Sequence, residues 1–405
     1  MANLDTYQAP AEIIRLRTLA LGVGGIALMI WAVGVYFNIE QGLRSWLLGF
    51  IFWAGIAVGC LGLLMLQYLT GGAWGVVIRR TLEAGSRTLP LVFLMFSPLA
   101  IGVYTHNISE WTHMPPTDHA IEARGMYLLP WTWIARSVVY FAIWALIALL
   151  LNKWSADQDK TTSVEGSRLV LERASRFSGP VMVIFVLVIT FAVVDWMMTL
   201  DPHWFSTMWG LLFVIGWALS ALCFVVALMA YLSDKAPMDR ILGKRHFHDL
   251  GKLMLAFVMV WAYFNFSQFL IIWSGNIPEE TGFYILRMQG GWGYMGVALI
   301  AFHFAFPFLI LLQQDFKRRA RWIATLAIFL LVMRVIDMFY IIGPSHRVTT
   351  GAAQAAFYVS WMDFVAPIAI GGIWLWWFFG ELLKRPMVPV NDPYLEGAIG
   401  HGRGH

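Results

Sequence analysis

Charge is what this sequence has least of. Only 13% of its 405 residues are Asp, Glu, Lys or Arg, about half the share of an ordinary soluble domain. So few charges cannot dress a water-exposed surface, and the deficit fits a chain whose solvent is mostly lipid. Cysteine is nearly absent as well. Cys60 and Cys223 both fall inside apolar runs, which excludes a disulfide framework and leaves them as small packing residues. There is no CxxCH for covalent haem c and no thiolate set for an iron–sulfur cluster, so the chain carries no redox centre of its own. A cleavable leader is also missing. Residues 1–17 include Asp5 and Glu12 and run into a full-length apolar stretch without a small-residue cleavage site.

What is abundant is apolar and aromatic: 59% hydrophobic residues, with 21 Trp and 29 Phe. Many of the rings stand near the ends of apolar runs, as interfacial belts do. A spanning helix needs about 20 apolar residues. Ten such runs occur, at about 18–37, 45–69, 89–106, 131–152, 178–200, 206–232, 250–273, 291–313, 321–342 and 355–379. They are continuous rather than alternating, which excludes barrel strands. The expected fold is therefore an all-α polytopic membrane protein. Its parts are a cytoplasmic N-terminus (1–17), a ten-span membrane domain (18–379) and a disordered cytoplasmic tail (380–405) rich in Gly and Pro.

The basic residues orient it. Of the 28 Lys and Arg, only Arg44, Arg124, Arg287 and Arg347 fall on one side, and only Arg136 and Arg334 lie within spans. All the others share the opposite side, which the positive-inside rule makes cytoplasmic. Both termini are then cytoplasmic, in a bacterial inner membrane. Because the basic residues alternate between loops, nucleic acid is not an expected partner. Trp74–Leu82, basic and apolar together, suggests an interfacial helix on the cytoplasmic face.

Ionisable side chains within a span cost about 3 kcal/mol or more, so each is a candidate functional group. Arg136, Asp195, Arg334, Asp337 and Asp363 all fall in the outer half when the helix directions are followed. Arg334 and Asp337 are three apart and share a helix face. Three readings stand: ion pairs that lock helices together, a wet proton-exchanging cluster open to the outer face, or a quinone head-group site. His303, near mid-bilayer in span eight, is a hydrogen-bonded packing residue or a proton relay. With no second mid-span histidine, a b-type haem is excluded. Asn265, Ser267 and Gln268 in span seven suit interhelical hydrogen bonds. Ser97-Pro98 in span three suggests a kink whose freed carbonyls need partners.

Four stretches are too specific for generic spans. DWMMTLDPHW (Asp195–Trp204) closes span five, and Asp201-Pro202 suits the N-cap and first position of the next helix; His203 follows. NIPEET (Asn276–Thr281) lets Pro278 begin a short outer helix, with Glu279 and Glu280 in its first turn. Arg79-Arg80-Thr81-Leu82-Glu83 with Arg87-Thr88-Leu89-Pro90 lies on the cytoplasmic face. Arg334-Val335-Ile336-Asp337 precedes Pro344.

Together these strings resemble the quinone-binding subunit 2 (ActF) family of bacterial alternative complex III, within the NrfD-like membrane subunits. The resemblance covers about residues 15–380. It implies two four-helix bundles, spans 2–5 and 6–9, flanked by spans 1 and 10. It also implies a place in a quinol:cytochrome c oxidoreductase, beside an ActC-like membrane homologue, small membrane subunits and periplasmic subunits carrying iron–sulfur clusters and haem c. Quinone or menaquinone would be the lipid-soluble substrate, with a suggested role for this chain in proton translocation. The rival readings are an ion-coupled secondary transporter, whose repeats carry broken spans at corresponding positions, and a structural membrane scaffold.

Overall fold

A computed structural model describes residues 7–115, 117–161, 163–345 and 357–403. Among these residues there is no strand, and ten helical segments are long and apolar enough to cross a membrane. The chain is a polytopic all-α membrane protein. Helices α1 (Glu12–Phe37) and α2 (Ile39–Thr70) form the first two spans. The third is composite: α3 (Ala73–Ser86), α4 (Leu89–Met95) and α5 (Ser97–Tyr104). A short α6 (His119–Arg124) precedes α7 (Pro130–Lys160), which is followed by α8 (Val164–Trp196), α9 (Trp209–Leu232) and α10 (Lys244–Gly275). Then come α11 (Pro278–Met288) and the eighth span. That span is α12 (Trp292–Ala298), a π-helical stretch (Leu299–Ala305) and α13 (Phe306–Leu312). Helices α14 (Gln314–Lys317), α15 (Ala320–Ser345), α16 (Met362–Leu382) and α17 (Leu395–Arg403) complete the chain.

Helices α2 and α9 pack against each other at the centre, and each also touches α8 and α15. They are the apolar axes of the two expected bundles. The flanking spans, however, form a pair: α1 packs on α16, and both pack on α2. A Cβ on Gly24 would stand 2.8 Å from the Gly372 backbone, so only glycine lets these two helices approach so closely. The expected kink is present between α4 and α5. Ser97 Oγ donates to Leu94 O at 2.7 Å and Trp46 Nε1 to Met95 O at 2.9 Å, which satisfies the carbonyls freed by Pro98.

Three expectations need correction. The segment from Trp74 is not an interfacial helix: α3 is buried from Gly75 to Ser86 and runs into the third span. Asp201 and Pro202 do not cap and open the next helix, because α9 begins at Trp209 behind an irregular turn. The C-terminal segment, as far as residue 403, is folded rather than loose. Met387 N donates to Tyr7 O at 2.8 Å, and α17 packs on α3 and α10, bridging the two bundles. Composition pointed to disorder, but the segment supplies Asp392 as the ion-pair partner of the buried Arg79.

Candidate functional site

The intramembrane charges sort into separate constellations near the end of the bundle remote from α17, here the far end. At the end of α8, Asp195 is fully buried and accepts from Arg136 Nε at 2.8 Å, Arg136 Nη2 at 2.9 Å and Tyr140 Oη at 2.7 Å. Arg136 also lies over the Tyr127 ring, 3.7 Å from its centroid. Such a bidentate, triply bonded carboxylate is a lock between α7 and α8. Asp363, in the first turn of α16, accepts from Ser45 Oγ at 2.5 Å, Gln41 Nε2 at 2.9 Å and Ser360 N at 2.9 Å. It ties α16 to α2. Neither carboxylate has the open coordination that a conducting group needs.

Asp337 is different. It pairs with Arg334 one turn earlier on α15 and accepts from Trp261 Nε1 at 3.2 Å. Arg334 lies flat on α9 because position 216 is glycine; a Cβ there would sit 2.2 Å from Arg334 Nη2. Both Arg334 and Asp337 line a cavity of about 510 Å³, open on one side, between α9, α10, α11, the eighth span and α15. Its walls are mostly aromatic and aliphatic, among them Trp209, Phe213, Phe269, Phe283 and Phe304. Asn265, Gln268, Tyr284, Arg287 and Tyr340 add polar atoms. Among α2, the third span, α7 and α8 the interior is aromatic. Phe50, Phe96, Trp133, Phe141, Trp144 and Trp196 form one cluster of stacked and edge-on rings.

His303 stands behind the cavity wall. It is fully buried in the π-helical stretch, with its ring 3.8 Å from the Trp261 ring, centroid to centroid. Neither of its nitrogens has a hydrogen-bond partner among the described residues. Among the described residues its closest ring partner is Trp261. π-Helical turns are frequent at functional sites.

The two most specific sequence strings meet at the cavity's far end. Trp204 stacks on Phe283 with centroids 4.1 Å apart, and its indole N–H donates to Glu280 O at 3.1 Å. Asp201 accepts from Ser345 Oγ at 2.8 Å and faces Arg287 Nη2 at 3.5 Å. The other expected outer residues do structural work or face out. Asn276 is the left-handed C-cap of α10 (φ 48°), Pro278 is the first residue of α11, and Glu279 is exposed. His203 lies 3.6 Å from Asp118. Beside this group, burial and then the Asp201 carboxylate push the Glu110 carboxyl above its ordinary range, with His203 opposing.

Sequence reasoning missed Arg287. Its guanidinium is fully buried, donating to Phe283 O at 3.0 Å, Ile341 O at 2.6 Å and Ser345 Oγ at 2.7 Å. The available signal was its rarity, as one of four cations on the sparsely basic side. It also missed the lattice at the opposite end. There Arg80 donates to Glu83 at 2.8 Å and Ser155 at 2.9 Å and pairs with Asp159, while Arg385 reaches Glu83 at 3.1 Å. The i to i+3 spacing of Arg80 and Glu83 in an apolar segment was the signal there.

Ten apolar spans around these buried constellations define a multi-pass membrane protein. Compared with known proteins, the chain matches no family model and no curated protein.

Proposed function

We propose that this chain is a membrane subunit of a bacterial quinol-oxidising complex of the alternative complex III kind, and that its second bundle holds the ring of a lipid-soluble quinol or quinone. The cavity carries this reading. The space between these helices, about 510 Å³ and open on one side, is of the size that a ring-bearing ligand needs. Its apolar walls suit a ring and tail taken from lipid, and its few polar groups suit ring oxygens. Electrons would pass to iron–sulfur and haem c groups in partner subunits docked on the far-end loops, with an ActC-like homologue and small subunits alongside in the inner membrane. Between the ninth and tenth spans, residues 346–356 lie outside the described residues. Positive-inside bias supports cytoplasmic termini.

Proton movement, on this reading, belongs to Asp337 and His303 beside the cavity rather than to Asp195 or Asp363. The transporter reading loses ground. Its broken spans should correspond between repeats, yet the break at Ser97 is in the second helix of one bundle and the π-helical stretch in the third of the other.

Two measurements test the proposal. The chain purified from its native membrane should bring haem- and iron–sulfur-carrying subunits with it. A photoreactive quinone should label peptides spanning residues 261–269 and 334–341. A lone homo-oligomer, or labelling elsewhere only, overturns it.

A further inference from the structure

Lys317 ends α14, the short helix between the eighth and ninth spans, yet is only 6% exposed. Its stem lies across α10 because position 251 is glycine: a Cβ there would stand 2.8 Å from Lys317 Cγ and 2.9 Å from Cδ. Among the described residues its ammonium meets no carboxylate, and the charge that acts on it is another cation, Lys252. Burial, and then Lys252, lower the Lys317 ammonium below the ordinary lysine range. The crowding extends along α10. His248 and Lys252 are four apart on one face of that helix, and the His248 ring stands in the field of Lys252, Lys317 and Arg318. The nearby acids do not offset this. Asp249 accepts from Lys252 at 3.3 Å and meets the His401 ring at 2.8 Å. Asp315, with its side chain 88% exposed, reaches Arg318 only at 4.0 Å.

A lysine that merely snorkels turns its head toward water. Here the head is seated beside other cations. Water can accept hydrogen bonds from these groups, but it carries no charge and leaves the repulsion standing. An anion removes it. The surroundings say what that anion is attached to. Toward the membrane centre, the face of α10 that carries His248 and Lys252 continues as Ala256, Met259, Tyr263 and Phe266, all exposed. This is a lipid-facing stripe at helical spacing. Trp322, 54% exposed near the start of α15, stands edge-on to Phe316 with Arg319 over its ring, as residues of the interfacial belt do. A free phosphate or an acidic peptide makes no use of the stripe. A phospholipid covers it with a chain and brings its phosphate to the cations. A zwitterionic head carries an ammonium of its own, which restores the repulsion. We propose that His248, Lys252, Lys317 and Arg318 hold the phosphate of an anionic phospholipid from the leaflet on the α17 side. None of the four lines the cavity, and the site does not depend on how the cavity is read.

The test is native mass spectrometry of the full chain in detergent, titrated with phosphatidylglycerol or with phosphatidylcholine of the same acyl chains. The wild-type chain should bind its first phosphatidylglycerol about tenfold more tightly, the value of one hydrogen bond to a charged group. Lys317→Met keeps an apolar stem, and Lys252→Gln alters a side chain that is 59% exposed. Each should bring the two affinities to within about twofold, since one cation near an anionic head is worth about fivefold. Arg168→Gln, which removes an exposed cation of the first bundle, should leave the preference intact. Equal affinities in the wild-type chain overturn the inference. So does a preference that survives in both Lys317→Met and Lys252→Gln, or one that Arg168→Gln reduces as much, because diffuse basic charge then accounts for it. If Lys317→Met does not fold, Lys252→Gln decides. Glycerol phosphate, which has the phosphate and no chain, should fail to displace the lipid. Displacement at a concentration comparable to that of the lipid gives the site to a soluble phosphate and overturns the lipid assignment.

Discussion

Trp204 and Phe283 lie face to face, 4.1 Å between ring centroids and 17° from parallel, and the Trp204 indole N–H holds the Glu280 carbonyl. This contact joins the turn after α8 to α11, and Phe283 is part of the cavity wall. Trp204→Ala should cost about 3–5 kcal/mol, as loss of a buried Trp does. It should also expose the chain near Trp204 and Pro278 to protease. Trp204→Phe keeps the stack and loses only the hydrogen bond, so its cost should be about 1 kcal/mol. Limited proteolysis and denaturant unfolding in micelles check both. Equal behaviour of the two variants would remove the stack from the account.

The Arg136–Asp195 pair makes a different prediction. Asp195 has three donors and no free edge. Asp195→Asn leaves Arg136 partly buried with a neutral partner and should lower stability by roughly 3 kcal/mol. The double variant Arg136→Gln/Asp195→Asn should recover part of the loss. If the chain serves a quinol-oxidising complex as proposed, proton release per quinol in reconstituted vesicles of that complex should stay at the wild-type value. A changed stoichiometry in a stably assembled Asp195→Asn complex would return this carboxylate to a proton route.

The ten spans were legible because lipid demands long uninterrupted apolar runs, a signal that needs no knowledge of packing. Arg334–Asp337 was legible because both partners share one helix. Partnerships between helices were not. Asp195 could be placed at a depth, but nothing in its neighbourhood names Arg136, 59 residues away, or Tyr140. Arg79 and Arg80 read as surface cations because their counter-charges, Asp392 and Asp159, lie far along the chain. The folded C-terminal segment was invisible for the same reason, since its Gly- and Pro-rich composition hides the carboxylate that anchors it. The cavity was the least legible of all. It reflects what α10 and the eighth span fail to fill, and a sequence does not display absent contacts.

Glu110 gives the pH dependence. Burial and the Asp201 carboxylate raise its folded-state value above the ordinary 4.5, so the folded state prefers it protonated. A raised folded-state value contributes stability that is fully present below the unfolded value and is lost as pH rises through the folded one. At neutral pH the ionised Glu110 is therefore a liability. Glu110→Gln should unfold at a higher temperature than wild type at pH 7, and the difference should close as pH falls to the ordinary glutamate range. A difference that is absent at pH 7, or that grows on acidification, would show that the Asp201 carboxylate does not act on Glu110 as described.

The Arg334–Asp337 pair bears on both stability and function, because it is buried and also faces the cavity. Asp337→Asn removes the counter-charge of a guanidinium that is 2% exposed, and breaking a buried pair from one side costs about 3–5 kcal/mol. The exposed Glu279 is the control, and Glu279→Gln should shift stability by no more than about 0.5 kcal/mol. Position 216 supplies an independent probe that leaves both charges in place. A methyl there would stand 2.2 Å from Arg334 Nη2, so Gly216→Ala must push the guanidinium off α9 and into the cavity. It should weaken binding of quinone-ring probes without removing either charged side chain. If the pair only fastens helices, Gly216→Ala lowers stability and leaves the affinity for the probes unchanged in the folded fraction. If it also shapes the ring site, affinity falls in chains that still fold. Unfolding in graded denaturant, paired with calorimetric titration of the same samples, separates the two outcomes. Wild-type stability in both Asp337→Asn and Gly216→Ala would deny the pair either role.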